Sequence, residues 1–166
     1  MTDRKQRKPT RLKSYNYSEN GAYFVTMCTK DRQCILSKIV GSDALDAPMV
    51  CLTDYGKIVD AEICKMNSIY ENIQVIRYVI MPNHVHLLAV IKHCDGASRA
   101  SLPTKSVLST YVGTLKRFCN KRCGKQLWQT SFYDHIIRND EDMYNHLQYI
   151  DENPKKWLIG KDEYYQ

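Results

Sequence analysis

Residues 73 to 91, IQVIRYVIMPNHVHLLAVI, hold two apolar runs separated only by Met81, Pro82 and Asn83. Short runs rich in valine and isoleucine read as strands, and the Met-Pro-Asn break is a turn signal. The two runs therefore pair as an antiparallel hairpin. Inside the second run stand two histidines, His84 and His86. Residues two apart on a strand share a face, so both rings project the same way while Val85 points to the other side. Imidazoles are expensive to bury without partners. Two readings stay open for them: surface histidines on a solvated sheet face, or two ligands converging on one metal ion.

The rest of the chain supplies the frame for this hairpin. AYFVTMCTK (22–30) reads as a first strand, and QCILSKIV and PMVCLT flank GSDALDA as a hairpin or an irregular pair of short strands. Tyr55, Ile58, Val59, Ile63, Met66, Ile69 and Tyr70 recur at helical spacing, with Asp54 as the expected N-cap. HCDGASRASLPT reads as a polar loop. A second helix is expected over 104–122, with Leu108, Tyr111, Leu115 and Phe118 as its apolar stripe. A short strand over 132–137 and a helix DEDMYNHLQYIDEN, stopped by Pro154, complete the pattern. There is no internal repeat. A basic arm (1–14) precedes a single domain (15–166), and the element order predicts an α+β, ferredoxin-like antiparallel sheet with helices packed on a face.

Several function classes are set aside by composition. A chain of 166 residues, 43% hydrophobic and 25% charged, reads as one globular domain. It contains no apolar run near the roughly 20 residues needed to span a bilayer, and the basic start MTDRKQRKPTRLK lacks the apolar core of a secretory signal. The seven cysteines show no CxxC pair; Cys28, Cys51, Cys64 and Cys119 read as reduced core thiols, which points to a cytoplasmic protein. The net charge of +6 is clustered: Arg4, Lys5, Arg7, Lys8, Arg11 and Lys13 in the arm, then Lys116, Arg117, Lys121, Arg122 and Lys125 in LKRFCNKRCGK. Such clusters fit a polyanion partner, and equally a solvated helix face with a loose tail.

Two histidines do not complete a metal site, so a third ligand is needed. The cysteines are poor candidates, because Cys94 lies past the strand end without a thiol partner at ligand spacing. His93, His135 and His146 are scattered, and a surface or hydrogen-bonded role suits each of them better than a ligand's. In the last helix, Tyr149 and Asn153 stand four residues apart on one side. Met143, Leu147 and Ile150 form its expected buried stripe, and Tyr149 points on the order of 125° away from it. That tyrosine is either an exposed residue near a helix end or a functional one.

MPNHVHLL, followed by LWQTSFYDHIIRNDEDMYNHLQYIDENPKKW, resembles the single-tyrosine transposases of the His-hydrophobe-His (HUH) nuclease superfamily, in particular the REP-associated branch. The resemblance covers nearly the whole chain. It implies a ferredoxin-like sheet with His84 and His86 on a central strand as ligands of a divalent metal, Mg²⁺ or Mn²⁺. It further implies Asn153 as third ligand and Tyr149 as the nucleophile, with Tyr133 in FYDHIIR as the competing tyrosine. The implied activity is metal-dependent DNA cleavage and strand transfer through a 5′-phosphotyrosine, on single-stranded or hairpin-bearing DNA in a bacterial cytoplasm. Asn153 is expected at a frayed helix end before Pro154.

Arg4, Lys5, Arg11, Lys13, Lys116, Arg117, Lys121, Arg122 and Arg138 are the expected DNA contacts, the first eight from charge alone. Monomer and homodimer both fit. Two rival readings remain: a DNA-binding protein or domesticated nicking nuclease that does not complete transposition, and a hydrolase of small phosphate esters in which Tyr149 is incidental. The basic patches and the lack of an acid-rich metal cluster weigh against the second.

Overall fold

A computed structural model describes residues 20–41, 48–92 and 106–160. The basic arm with Arg4, Lys5, Arg11 and Lys13, and the polar loop with His93 and Cys94, lie outside the described residues. In chain order the elements are β1 (Gly21–Cys28), β2 (Ser37–Val40), β3 (Met49–Leu52), α1 (Asp54–Ile69), β4 (Ile73–Ile80), β5 (His84–Ile91), α2 (Val107–Cys123), β6 (Tyr133–Ile137) and α3 (Asp140–Leu158). Four strands form one sheet in the order β4-β5-β1-β6, and β2 and β3 form a separate ribbon. All neighbours are antiparallel. With the ribbon set aside, β1-α1-β4-β5-α2-β6 is the expected ferredoxin-like path, and β5 is a central strand.

Alternation along the strands sorts side chains onto two covered faces. Tyr23, Val25 and Met27 of β1 join Val85, Leu87, Ala89 and Ile91 of β5 in the main core, together with Val59, Ile63 and Met66 of α1 and Leu108, Tyr111, Val112, Leu115 and Cys119 of α2. Phe24 and Leu88 point the other way and pack with Ile150 of α3. The helices thus occupy both faces rather than one. Burial on both sides explains why β5 reads as an unbroken apolar run instead of an alternating one.

Three helix ends differ from expectation. Thr53, not Asp54, caps α1: its Oγ1 accepts the Gly56 N–H at 3.2 Å, while its hydroxyl lies 2.6 Å from the Ile35 carbonyl. Two outside carbonyls favour the hydroxyl, and Asp54 falls in the first turn, where a carboxylate suits the helix dipole. Gly56 is required there because a Cβ would collide with the Leu36 carbonyl. α2 starts at Val107 behind Ser106, whose side chain accepts the Ser109 N–H, and ends at Gly124 with φ +64°.

α3 runs through Pro154 to Leu158 instead of stopping. The proline removes one amide donor, yet Pro154 and Trp157 are both buried, and the Trp157 ring lies 6.1 Å from that of His84. Burial of that last turn outweighs the lost hydrogen bond.

Only Cys119 of the four expected core thiols is fully buried. Cys28 is half-buried, and Cys51 and Cys64 are exposed. Cys51 sits on the outward side of the ribbon, and Cys64 lies on the solvent side of α1, 3.6 Å from the Tyr78 hydroxyl. Among the described residues no helix is long and apolar enough to cross a membrane.

Candidate functional site

The register of the sheet lays out the face beneath α3. His84 pairs with Cys28, His86 with Thr26 and Leu88 with Phe24, while on the other side of β1 Thr26 pairs with Tyr133 and Phe24 with His135. His86, Thr26 and Tyr133 therefore form one row across three strands. The two histidines are not surface residues: His84 is 0% and His86 1% exposed.

Each imidazole is braced through its Nδ1. His84 Nδ1 lies 2.8 Å from Asn83 Oδ1, and Thr26 Oγ1 lies 2.8 Å from His86 Nδ1. His84 Nε2 lies 3.3 Å from Asn153 Oδ1. The two rings lie 4.5 Å apart between centroids.

Burial pulls the His84 pKa down to about 3, with the charge of Arg32 adding to the effect against the Asn153 contact. His86 is held well below its ordinary value by burial and by the nearby His84 and His146. Both rings are neutral at ordinary pH, the form in which imidazole binds metal.

α3 supplies the rest of the site. Its buried line continues past Ile150 to Asn153, Pro154 and Trp157. Asn153 is 0% exposed in mid-helix, not at a frayed end, and its Nδ2 is buried without a hydrogen-bond partner. Tyr149 is half-buried at the flank of that line. Its ring meets His86 edge-on at 5.2 Å and Phe24 at 5.8 Å, and Lys156 Nζ stands 4.7 Å over it. A cleft of about 480 Å³ opens beside it, lined by Phe24, Thr26, His86, Tyr133, Asn145, His146 and Tyr149. The competing Tyr133 is 50% exposed in the same cleft.

The residues fit a divalent ion. Two neutral imidazoles and an amide oxygen converge, with His84 Nε2 and Asn153 Oδ1 3.3 Å apart, and both histidines are braced from behind.

The expected cationic surface fares differently. Lys116 is only 9% exposed, and its ammonium donates to the carbonyls of Gln129 and Ser131, each at 2.8 Å. It ties down the loop before β6 and does not reach for phosphate, which corrects the expectation from charge. Burial lowers its pKa to about 8. Arg122 is exposed but paired with the buried Glu62 at 2.9 Å. Arg117 and Lys121 are exposed on α2, and the sheet separates α2 from the His84 and His86 face. Arg138 is exposed at the turn between β6 and α3, beside the cleft's helix.

Asn83, Thr26, Arg32 and Lys156 were not singled out from sequence. Asn83 lay in the turn MPN, where turn chemistry masked its second task, and the Thr26–His86 pairing is visible only through strand register.

Residues 17–153 match the family model described as "Transposase IS200 like". The chain belongs to the IS200-like transposases. Transposases of this family are DNA-cleaving enzymes, and relatives of the REP-associated tyrosine branch stand near this one. A Haemophilus influenzae protein provisionally named a REP-associated tyrosine transposase is 27% identical over 154 residues, covering 85% of this chain and 74% of its own. An uncharacterized protein of the same organism is 28% identical over 170 residues, covering 91% and 89%. The solved structure of a REP-associated tyrosine transposase bound to a REP hairpin superposes with a TM-score of 0.62 at 21% identity, over 88% of this chain and 74% of that one. That likeness shows the fold of this IS200-like transposase.

Proposed function

We propose that this transposase cleaves and rejoins single-stranded, hairpin-bearing DNA, with Tyr149 as nucleophile and His84, His86 and Asn153 as ligands of Mg²⁺ or Mn²⁺. The observation that carries the reading is the meeting of all four side chains on one covered sheet face, with Tyr149 at the edge of an open cleft.

His84, His86 and Asn153 would hold the ion, with Asn83 and Thr26 bracing the two rings. When bound, the ion would supply Lewis-acid withdrawal of charge from the scissile phosphate's oxygens. Tyr149 attacks phosphorus from the cleft side. The bond from its phenolic oxygen to phosphorus forms as the bond from phosphorus to the 3′-oxygen breaks. The phenolic proton leaves to solvent in the cleft, and the departing 3′-oxygen takes up a proton. Lys156, ion-paired with Glu152 at 3.2 Å, holds its ammonium 4.7 Å over the ring that carries negative charge during attack. The product is a 5′-phosphotyrosine and a free 3′-hydroxyl. Because a hydroxyl can reverse the step, strands rejoin without an external energy source.

Similarity to a relative named for its hairpin complex supports a hairpin-bearing substrate. The half-exposed ring of Tyr133 lines the cleft with Tyr149 and suits stacking with an unpaired base. The test is incubation of the purified protein with a hairpin-bearing single strand and Mn²⁺. A metal-dependent, sodium dodecyl sulfate-resistant protein–DNA adduct is expected. Non-covalent binding alone would favour a DNA-binding role without strand transfer.

A further inference from the structure

His135, Asp142 and His146 converge outside the site built on His84 and His86. His135 faces α3 from β6, where it pairs with Phe24, and Asp142 and His146 stand four apart on one side of α3. His135 Nε2 lies 2.9 Å from Asp142 Oδ2 and 3.1 Å from Oδ1, and His146 Nδ1 lies 3.1 Å from Oδ1. The two imidazoles stack with centroids 4.6 Å apart at 19°. One donor atom from each residue lies within 4.8 Å of the other two, a spacing no other group of three His, Cys, Asp or Glu shows among the described residues. Partial exposure of all three side chains leaves an entry path from solvent.

We infer that these three side chains form a second metal site, for a divalent transition ion such as Zn²⁺ or Co²⁺. Two imidazole nitrogens and a carboxylate oxygen are a donor set these ions favour. Metal–ligand bonds of about 2.0–2.2 Å in a tetrahedral site put neighbouring donors roughly 3.4 Å apart. Both nitrogens lie 3.1 Å from Asp142 Oδ1 and need to open by only a few tenths of an ångström, while one donor atom of each residue lies within 4.8 Å of the others before binding draws them together. The Arg138 backbone N–H, 3.0 Å from Asp142 Oδ2, braces the carboxylate from behind. His146 Nδ1 also sits 2.8 Å from the Asp142 carbonyl, and binding moves the ring proton to Nε2, so that contact is given up.

Charge separates this site from the first. His84, His86 and Asn153 are a neutral set, which gains from a phosphate's own charge when DNA is present. Asp142 adds a full negative charge, so in the absence of DNA the second site is the tighter of the two. An ion there pins β6 to the first turns of α3, one helical turn before Tyr149. None of this depends on the role proposed for Tyr149.

The experiment is Co²⁺ titration of chelator-stripped full-length protein carrying His84→Ala and His86→Ala, followed by visible absorption and equilibrium dialysis. One ion per chain is expected, with the strong visible bands of low-coordinate Co²⁺. Adding Asp142→Asn, which keeps the size of the side chain, should weaken binding by about 100-fold or more, beyond the usual effect of an outer-shell change. Absence of a stoichiometric ion, or binding unchanged by Asp142→Asn with His135→Ala, overturns the inference. The same titration of wild-type protein needs no change in the buried core: its tighter phase should vanish with Asp142→Asn while the weaker one remains. A single tight phase in wild type that Asp142→Asn abolishes supports this site and counts against the His84 one, whereas a tight phase that survives Asp142→Asn overturns this inference.

Discussion

His84 Nε2 lies 3.3 Å from Asn153 Oδ1, joining a sheet strand to a helix 69 positions away. Both residues are buried, and the Asn83 side chain contacts the other nitrogen of the ring. Replacing that oxygen should be felt first in metal binding. Asn153→Ala is expected to weaken Mn²⁺ affinity by about 10- to 100-fold or more. Asn153→Asp, which keeps an oxygen in place, should bind Mn²⁺ at least as well as wild type. Calorimetric titration measures both, and equal affinities for Asn153→Ala and wild type would remove Asn153 from the ligand set.

Thr26 acts on His86 from behind. Thr26→Val keeps the shape of the side chain and deletes the oxygen 2.8 Å from Nδ1. Metal affinity should fall about tenfold or more, with the hydrogen bond itself contributing about 1 kcal/mol to stability. Urea unfolding alongside the titration separates the two effects.

Lys116 gives the opposite pattern. Its removal leaves the carbonyls of Gln129 and Ser131 without their donor, so Lys116→Met should destabilise the fold by about 1–3 kcal/mol. The slope of log binding constant against log salt should stay as in wild type, because a phosphate contact contributes about 0.7 to that slope for a single strand. A slope reduced by that amount would return Lys116 to the DNA.

The depressed histidines make the metal-free protein acid-sensitive. His84 titrates near 6.5 in the unfolded chain and about 3 in the fold. The unfolded state therefore takes up the proton first, and the stability present above about pH 6.5 is lost as pH falls toward 3. Unfolding midpoints in chelator should drop between pH 7 and pH 5 in wild type and less steeply in His84→Gln. Parallel curves for the two proteins would contradict the burial argument.

The hairpin of β4 and β5, the ribbon of β2 and β3, and the sheet's path were legible because each strand carries its own pattern and MPN leaves little room for anything but a turn. His84 and His86 could be placed on one face for the same local reason. The bracing by Thr26 could not, since it depends on register between strands 60 residues apart. Pro154 misled the reading because a local rule ends the helix there, while burial of Trp157 carries it on. Lys116 misled it because charge along a helix says nothing of which cation turns inward. His135 and His146 looked scattered because the turn into α3 that brings them together is a tertiary feature.

The central claim is that Tyr149 attacks DNA, and peptide mapping of the trapped adduct tests it most directly. Wild-type protein, Mn²⁺ and a hairpin-bearing single strand should give a DNA-linked peptide containing Tyr149. Tyr149→Phe should give no adduct while keeping its fold and its DNA affinity, and Tyr133→Phe should keep adduct formation within about tenfold, a loss of no more than about 1.4 kcal/mol of transition-state stabilisation. A linked peptide containing Tyr133, with adduct persisting in Tyr149→Phe, would contradict the account.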